Sequence, residues 1–222
     1  MKDFYLFDLD GTLIDSMKLH IESFRRAYKH VFNAIVDDEV FNRNAGKTAS
    51  TFHMGVCSEL GINPTESDIR KIGESWKEYM EGAVKNEGIR VLPGVIEFLN
   101  EIKSRNQTCG LITGNSQNVG KYLLESAGLS EFFKIQSYSD GLYERSDLIK
   151  KSLSNANEMG LEIERLIVIG DTPSDIKAGK IMKGFAVGVE TGPYRKDKLE
   201  EAGADLVLKN LKEYELIFEK IE

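Results

Sequence analysis

The chain has 222 residues, with 36 Asp and Glu against 29 Lys and Arg, which gives a formal net charge of -7. Hydrophobic residues make up 41% and charged residues 29%, close to the averages of globular proteins, so the composition excludes a disordered or collagen-like chain. A chain of this length can bury a sizeable core by itself, and its acidic balance argues against nucleic acid as a partner.

The cysteines and the hydropathy pattern indicate where in the cell the protein is expected. Cys57 and Cys109 are far apart in the sequence and form no metal-binding pair. We therefore expect neither a disulfide scaffold nor a structural zinc site, and the expected location is cytoplasmic. No apolar stretch approaches about 18 residues and no signal peptide is apparent, so no membrane partner is expected.

Short apolar runs alternate with longer amphipathic ones along most of the chain. The apolar runs predict buried strands at 4–7, 109–112, 133–135, 166–169, 185–189 and 206–208. Helical spacing of apolar residues predicts helices at 93–104, 116–127 and 147–159. This alternation is typical of an α/β fold with a doubly wound parallel sheet, whose functional residues lie at the carboxyl ends of the strands.

One long segment breaks the alternation. Residues 16–88 show helical periodicity without a convincing strand, for example in the spacing of Leu19, Phe24 and Tyr28. The sequence therefore predicts two domains, a core of residues 1–15 and 89–222 and a helical cap of residues 16–88, which we call the insert. The alternative is a helical excursion packed rigidly on the sheet.

Two carboxylates follow the first predicted strand, in the segment Asp8-Leu9-Asp10-Gly11. Such a pair repels itself unless a cation lies between the carboxylates or one of them holds a proton. A metal site with one nucleophilic and one proton-transferring carboxylate needs this arrangement. The alternative, which an isolated pair would favour, is a polar loop with incidental acids.

Two further polar segments follow other predicted strands. Asp171 lies at the tip of the 166–169 strand, and Asp175 lies in the first turn of the next helix. These acids are also explained by a simple helix cap. Thr113, Gly114 and Asn115 follow the 109–112 strand, where they either hold a phosphate oxygen or form an ordinary turn.

Taken together, the three segments in this order resemble the haloacid dehalogenase superfamily of hydrolases, especially phosphoglycolate-phosphatase-like members with a helical cap. The resemblance implies a Rossmann-like core with an all-helical cap, and it implies that Asp8 attacks phosphorus to form an aspartyl-phosphate. Asp10 would protonate the leaving alkoxide and then activate water. Mg²⁺ would be held by Asp8, the Asp10 main-chain carbonyl and Asp171, with Asp175 in support.

The resemblance also implies a set of phosphate contacts. Thr113 would hydrogen-bond the phosphoryl group together with the main-chain N–H groups of Leu9, Gly114 and Asn115. Gly11 and Thr12 belong to the same predicted phosphate and substrate site. The family usually carries Lys-Pro between the second and the last motif, and this chain lacks it. Arg145 is the candidate replacement, and the alternative is a solvated loop arginine.

The insert carries candidate residues for substrate choice. Arg43 and Lys47 lie on either side of a potential turn at Gly46, and either cation could meet a second anionic group of the substrate. An ordinary charged surface loop is the alternative. His20, His30 and His53 lack metal-ligand spacing, and we interpret them as surface or packing residues.

The resulting hypothesis is a Mg²⁺-dependent phosphatase acting on a small phosphorylated metabolite such as phosphoglycolate or a sugar phosphate. A phosphomutase would share the core residues, and a degenerate phosphate-binding protein would lack turnover. Either a monomer or a homodimer is compatible with the sequence.

Overall fold

A computed structural model describes residues 2–142 and 144–221; residues 1, 143 and 222, which belong to the predicted core domain, lie outside the described residues. The strands are β1 Asp3–Phe7, β2 Ile14–Asp15, β3 Arg90–Val91, β4 Thr108–Ile112, β5 Ile135–Ser137, β6 Arg165–Gly170, β7 Phe185–Val189 and β8 Leu206–Leu208. The helices are α1 Met17–Phe32, α2 Asp38–Asn44, α3 Ala49–Glu59, α4 Glu66–Glu87, α5 Val95–Ser104, α6 Gln117–Ser126, α7 Arg145–Glu158, α8 Pro173–Ile181, α9 Lys196–Glu201 and α10 Glu215–Ile221.

Six parallel strands form the central sheet in the order β5-β4-β1-β6-β7-β8. Alternate side chains of β1 enter two different apolar clusters. Tyr5 and Phe7 pack with Phe98 on one face, whereas Phe4 and Leu6 pack with Leu148 on the other. Because both faces are covered by helices, the strands are mainly apolar, and the predicted α/β doubly wound fold is confirmed.

One predicted strand needed correction, and one short ribbon was not predicted. The strand predicted at 133–135 lies at Ile135–Ser137, and Phe133 instead follows a 3-10 turn and packs into the main core. The short strands β2 and β3 pair antiparallel, with Ile14 opposite Val91. Sequence periodicity did not predict this ribbon, because two residues are too few to show an alternating pattern.

The insert consists of the four helices α1 to α4, packed around an aromatic cluster of their own. Helix α4 begins at a capping box in which Thr65 and Asp68 satisfy each other's main-chain N–H groups. Leu19, Met80 and Val84 of the same helices belong to the main core, so the base of the insert packs against the α/β layers. Within residues 2–142 and 144–221, no helix combines the length and the apolarity that a membrane crossing needs.

His53 makes the insert sensitive to acid. It is buried beside the Tyr28 hydroxyl, which lies 3.2 Å from its Nδ1, and burial lowers the pKa of His53 to about 4. An unfolded chain binds a proton at this residue below about pH 6.5, whereas the folded chain does not. The free energy of unfolding therefore falls as the pH drops from about 6.5 towards 4, and His53 contributes up to about 3 kcal/mol of that fall.

We expect His53→Asn, which keeps a hydrogen-bond acceptor near Tyr28, to flatten this dependence. The measurement is urea unfolding of both proteins at several pH values, with His30→Asn as the control because His30 is exposed. An unchanged slope in His53→Asn would contradict the assignment.

Candidate active site

The site lies where three neighbouring strands of the sheet end. Asp8 follows β1, Thr113 follows β4 and Asp171 follows β6, and β1 is the middle strand of the three. The Asp8 N–H donates to the Ile169 carbonyl at 2.9 Å, so the sheet ladder continues as far as the aspartate. The parallel register therefore brings these polar side chains to one edge.

Arg145 bridges two buried carboxylates. It is the first residue of α7 and is only 7% exposed. Its Nε donates to Asp175 Oδ1 at 2.6 Å, and its Nη2 donates to Asp8 Oδ1. The structure thus places this guanidinium inside the site and not in a solvated loop. Lys121 and Lys150, by contrast, make exposed ion pairs elsewhere.

Asp8, Asp171 and Asp175 form a buried group of carboxylates. One oxygen of each lies within 4.8 Å of the others. Burial, together with repulsion between the carboxylates, raises the pKa of Asp8 and of Asp171 above the ordinary range. Asp171 Oδ2 is buried and has no hydrogen-bond partner among the described residues. The possible ligands here are all oxygen atoms, one of them has no partner, and one arginine balances three carboxylates. Such a site fits a hard divalent cation such as Mg²⁺.

Two glycines make room for the Asp171 carboxylate. A Cβ added to Gly192 would lie 1.7 Å from Asp171 Oδ2, and one added to Gly11 would lie 2.5 Å from the same oxygen. Gly11 also has a φ of +80°, which disfavours other residues. Thr191 Oγ1 donates to the Gly11 carbonyl at 2.5 Å, which ties the loop after β7 to the loop after β1.

The Asp10 carboxylate is held by groups from both the core and the insert. Its partners are Ser16 Oγ at 2.5 Å, His20 Nε2 at 2.7 Å and Asn115 Nδ2 at 2.6 Å. Burial favours the neutral carboxyl, but the charge of His20 and the three hydrogen bonds outweigh burial and hold the pKa of Asp10 below its ordinary value. Three hydrogen bonds therefore hold the Asp10 carboxylate in one orientation.

The insert closes over the site. The Ala49 N–H donates to the Gly114 carbonyl at 3.0 Å, and a Cβ on Gly46 would lie 2.7 Å from Thr172 Oγ1. The cavity between the insert and the core measures about 70 Å³ and opens to the surface. The core lines it with Asp8, Asp10, Gly114, Asn115, Arg145, Asp171, Thr172 and Pro193, and the insert lines it with Met17, His20, Phe41, Ala45, Gly46, Lys47, Ala49, Phe52 and Trp76.

Several residues predicted from the sequence stand beside the cavity and not in its lining. Thr12 Oγ1 donates to Asp171 Oδ1 at 3.3 Å, and the Gly11 N–H donates to the Ile14 carbonyl. The side chain of Leu9 is buried in the core. Thr113 is fully buried. Asn115 does line the cavity, but its N–H, expected at the phosphate, donates to Thr113 Oγ1 at 3.2 Å. Asp175 accepts from Thr172 and Arg145, as a supporting residue would.

In the part of the chain that the structure describes, Arg43 does not line the cavity. Its guanidinium is half exposed and pairs with Glu59 at 2.6 Å and Glu39 at 3.5 Å. These carboxylates lie on the outer surface of the insert and satisfy the arginine there. Of the two insert cations predicted to meet the substrate, the structure places only Lys47 in the lining.

Apart from Lys47 and the turn at Gly46, sequence reasoning missed the residues of the insert that face the cavity. His20, interpreted as a surface or packing residue, contacts Asp10, and Trp76 lies both in the aromatic cluster of the insert and in the cavity lining. The one available signal was spacing, because Ser16 and His20 are four residues apart and therefore share a face at the start of α1.

Comparisons with known proteins show the family and the fold of this chain. A sequence model of the haloacid dehalogenase-like hydrolases matches residues 5–189. A phosphoglycolate phosphatase from Agrobacterium fabrum is 25% identical over 203 residues, which cover 91% of this chain and 86% of that protein. A hydrolase from Pseudomonas syringae superposes with a TM-score of 0.85 at 24% identity, over 100% of this chain and 99% of its own. A β-phosphoglucomutase from Clostridium difficile superposes with a TM-score of 0.83 at 21% identity, over 99% of this chain and 97% of its own.

The glycine at position 192 provides a test of the cation site. We expect Gly192→Ala to displace the Asp171 carboxylate and to weaken Mg²⁺ binding by at least about tenfold, since a few tenths of an ångström matter to a small cation with strict geometry. Isothermal titration calorimetry with Mg²⁺ measures this directly. Gly82→Ala is the control, because a Cβ there meets nothing within 4 Å. Equal Mg²⁺ affinity in both variants would contradict the role of Gly192.

Proposed function

Because the chain belongs to the haloacid dehalogenase-like hydrolases, we propose that it is a phosphatase that hydrolyses a small phosphomonoester through an aspartyl-phosphate on Asp8. The observation that carries this proposal is the contact between the Asp8 carboxylate and the buried Arg145 guanidinium, in a cavity that Asp10 and Asp171 also line. A carboxylate and a phosphate repel each other, and a fixed cation beside the nucleophile removes that obstacle.

In the first step, a carboxylate oxygen of Asp8 bonds to phosphorus while the bond from phosphorus to the leaving oxygen breaks. Asp10 gives its proton to the departing alkoxide. In the second step, water attacks the phosphorus of the aspartyl-phosphate, Asp10 accepts a proton from that water, and the bond to Asp8 breaks to release phosphate. Asp10 thus acts once as an acid and once as a base.

Orientation of Asp10 supports this double role. Ser16, His20 and Asn115 fix its carboxylate in one position, so that the same oxygen can serve the leaving group and the water. The nearby His20 favours the ionised form of Asp10. A bound phosphate ester brings negative charge to the same place and so favours the protonated form needed for the first step.

The remaining roles fall to groups around the phosphoryl oxygens. Arg145 balances their charge, and the Leu9 N–H, which hydrogen-bonds the Asp8 carboxylate, stabilises the nucleophile. The Thr113 hydroxyl accepts from the Asn115 N–H and keeps its own proton for a phosphoryl oxygen. We assign the Gly114 N–H to another of these oxygens. Fixed donors of this kind stabilise the charge spread over a transferring phosphoryl group.

Mg²⁺ would be held by the Asp8 and Asp171 carboxylates and by the Asp10 carbonyl, with Asp175 fixing Arg145 and the start of α8. When bound, the ion supplies Lewis-acid stabilisation of charge on the phosphoryl oxygens. The unpartnered Asp171 Oδ2 supports this assignment. We assign residues 16–88 to the cap that covers the site, and Lys47 to a second polar group of the substrate.

Asp8→Asn should abolish Mg²⁺-dependent phosphate release, by at least about 10³-fold, because an amide is too weak a nucleophile to form the intermediate. The assay measures phosphate release from a panel of small phosphomonoesters with and without Mg²⁺. Asp147→Asn is the matched control, since Asp147 is a carboxylate of α7 that pairs with Lys150 away from the cavity. Full activity in Asp8→Asn would reject the proposal.

Substitutions of Arg145 test the charge at that position. Arg145→Met should lower kcat/KM by at least about a hundredfold, and it should cost about 3–5 kcal/mol of stability because Asp8 and Asp175 lose their buried partner. Arg145→Lys keeps the charge and should retain at least about ten times the activity of Arg145→Met. If both variants were equally active, neutralisation by Arg145 would not be part of the reaction.

A further inference from the structure

We propose that the insert side of the cavity selects esters of compact alcohols with few hydroxyl groups, and that Met17, Phe41, Phe52 and Trp76 determine this specificity. The proposal rests on the proposed function and names the substrate class that this site accepts. Each of these four residues comes from a different helix of the insert, α1 to α4. We call them the apolar wall.

The apolar wall is a packed surface and not a set of mobile side chains. Phe41, Phe52 and Trp76 are 5%, 6% and 8% exposed. The rings of Phe41 and Phe52 lie 5.3 Å apart, and those of Phe52 and Trp76 lie 6.0 Å apart and nearly parallel. Rings that hold one another in this way resist rearrangement. The leaving group of a bound ester therefore meets a fixed apolar face.

Few polar side chains of the insert remain free to bind a hydroxyl group. His20 Nε2 is engaged by Asp10. Lys47 Nζ lies 2.6 Å from Asn44 Oδ1 and makes no ion pair within the described part of the chain. An ammonium group has three protons, so Lys47 has two left for further acceptors. The Trp76 Nε1 has no partner among the described residues, but it is buried and not exposed at the surface of the cavity. Lys47 therefore offers the strong polar contact on this side, which suits a carboxylate.

The size of the cavity adds to this restriction. It measures about 70 Å³ with the Ala49 N–H bonded to the Gly114 carbonyl. A phosphoryl group takes up most of such a space, so a bulky alcohol would have to extend out of the cavity. Each hydroxyl group buried against the apolar wall loses its water without gaining a partner, which lowers kcat/KM by roughly tenfold. Polyhydroxylated sugar phosphates are then the poorest class of substrate.

The test compares n-propyl phosphate with glycerol 3-phosphate, because the two esters share a three-carbon chain and differ only in two hydroxyl groups. We expect kcat/KM to be at least about tenfold higher for n-propyl phosphate. Intrinsic reactivity works against this result, since the glycerol alkoxide is the better leaving group. A preference for the propyl ester must therefore come from the site.

Met17→Gln tests the apolar wall itself. Glutamine has about the length of methionine and can hydrogen-bond a hydroxyl group, and Met17 is only half-buried, so the fold should tolerate the change. We expect the ratio of the two kcat/KM values to fall at least about threefold towards glycerol 3-phosphate. Met54→Gln is the matched control because Met54 is an exposed methionine of the insert outside the cavity lining, and its ratio should equal that of the wild type.

The outcomes separate this inference from the proposed function. A kcat/KM for glycerol 3-phosphate equal to or above that for n-propyl phosphate would overturn the inference, and so would an unchanged ratio in Met17→Gln. Release of phosphate from sugar phosphates alone would also overturn it, while leaving the phosphatase in place. No release from any ester, including phosphoglycolate, would overturn the proposed function and the inference with it.

Discussion

The buried bridge from Arg145 to Asp8 and Asp175 is the interaction on which the rest of the site depends. Oxygens of three buried carboxylates lie within 4.8 Å of one another, and such an arrangement is unstable without compensating positive charge. The same guanidinium fixes the start of α7, the end of β1 and, through Asp175, the capping box of α8. One side chain thus orders three elements that are distant in sequence.

Asp10 links this core to the insert. Its carboxylate is bound by Asn115 from the loop after β4 and by His20 from α1, so its orientation requires both parts of the chain to be in place. The tight approach of Gly46 to Thr172 and the Ala49 contact with Gly114 hold the two parts together. Proton transfer and enclosure of the cavity are therefore properties of the same packed arrangement.

The sequence predicted what depends on local patterns. Apolar runs located the six strands of the central sheet, with one displaced by two residues, and the acids at the strand tips located Asp8 and Asp171, because parallel strands bring their ends together. Contacts across the insert were not predictable. The position of His20 depends on how α1 packs against the core, and Arg43 pairs with Glu59, which lies sixteen residues away on another helix.

The ribbon of β2 and β3 brings the two ends of the insert together. Ile14 pairs with Val91 and Asp15 with Arg90, so the chain leaves the core and returns to it through adjacent residues about 5 Å apart. The intervening segment is therefore a loop whose two ends are already held together. A change in its length adds little to the entropic cost of closing that loop. The segment can therefore vary in length and sequence at little entropic cost, provided that residues such as His20, which holds Asp10, and Leu19, which packs in the main core, are kept.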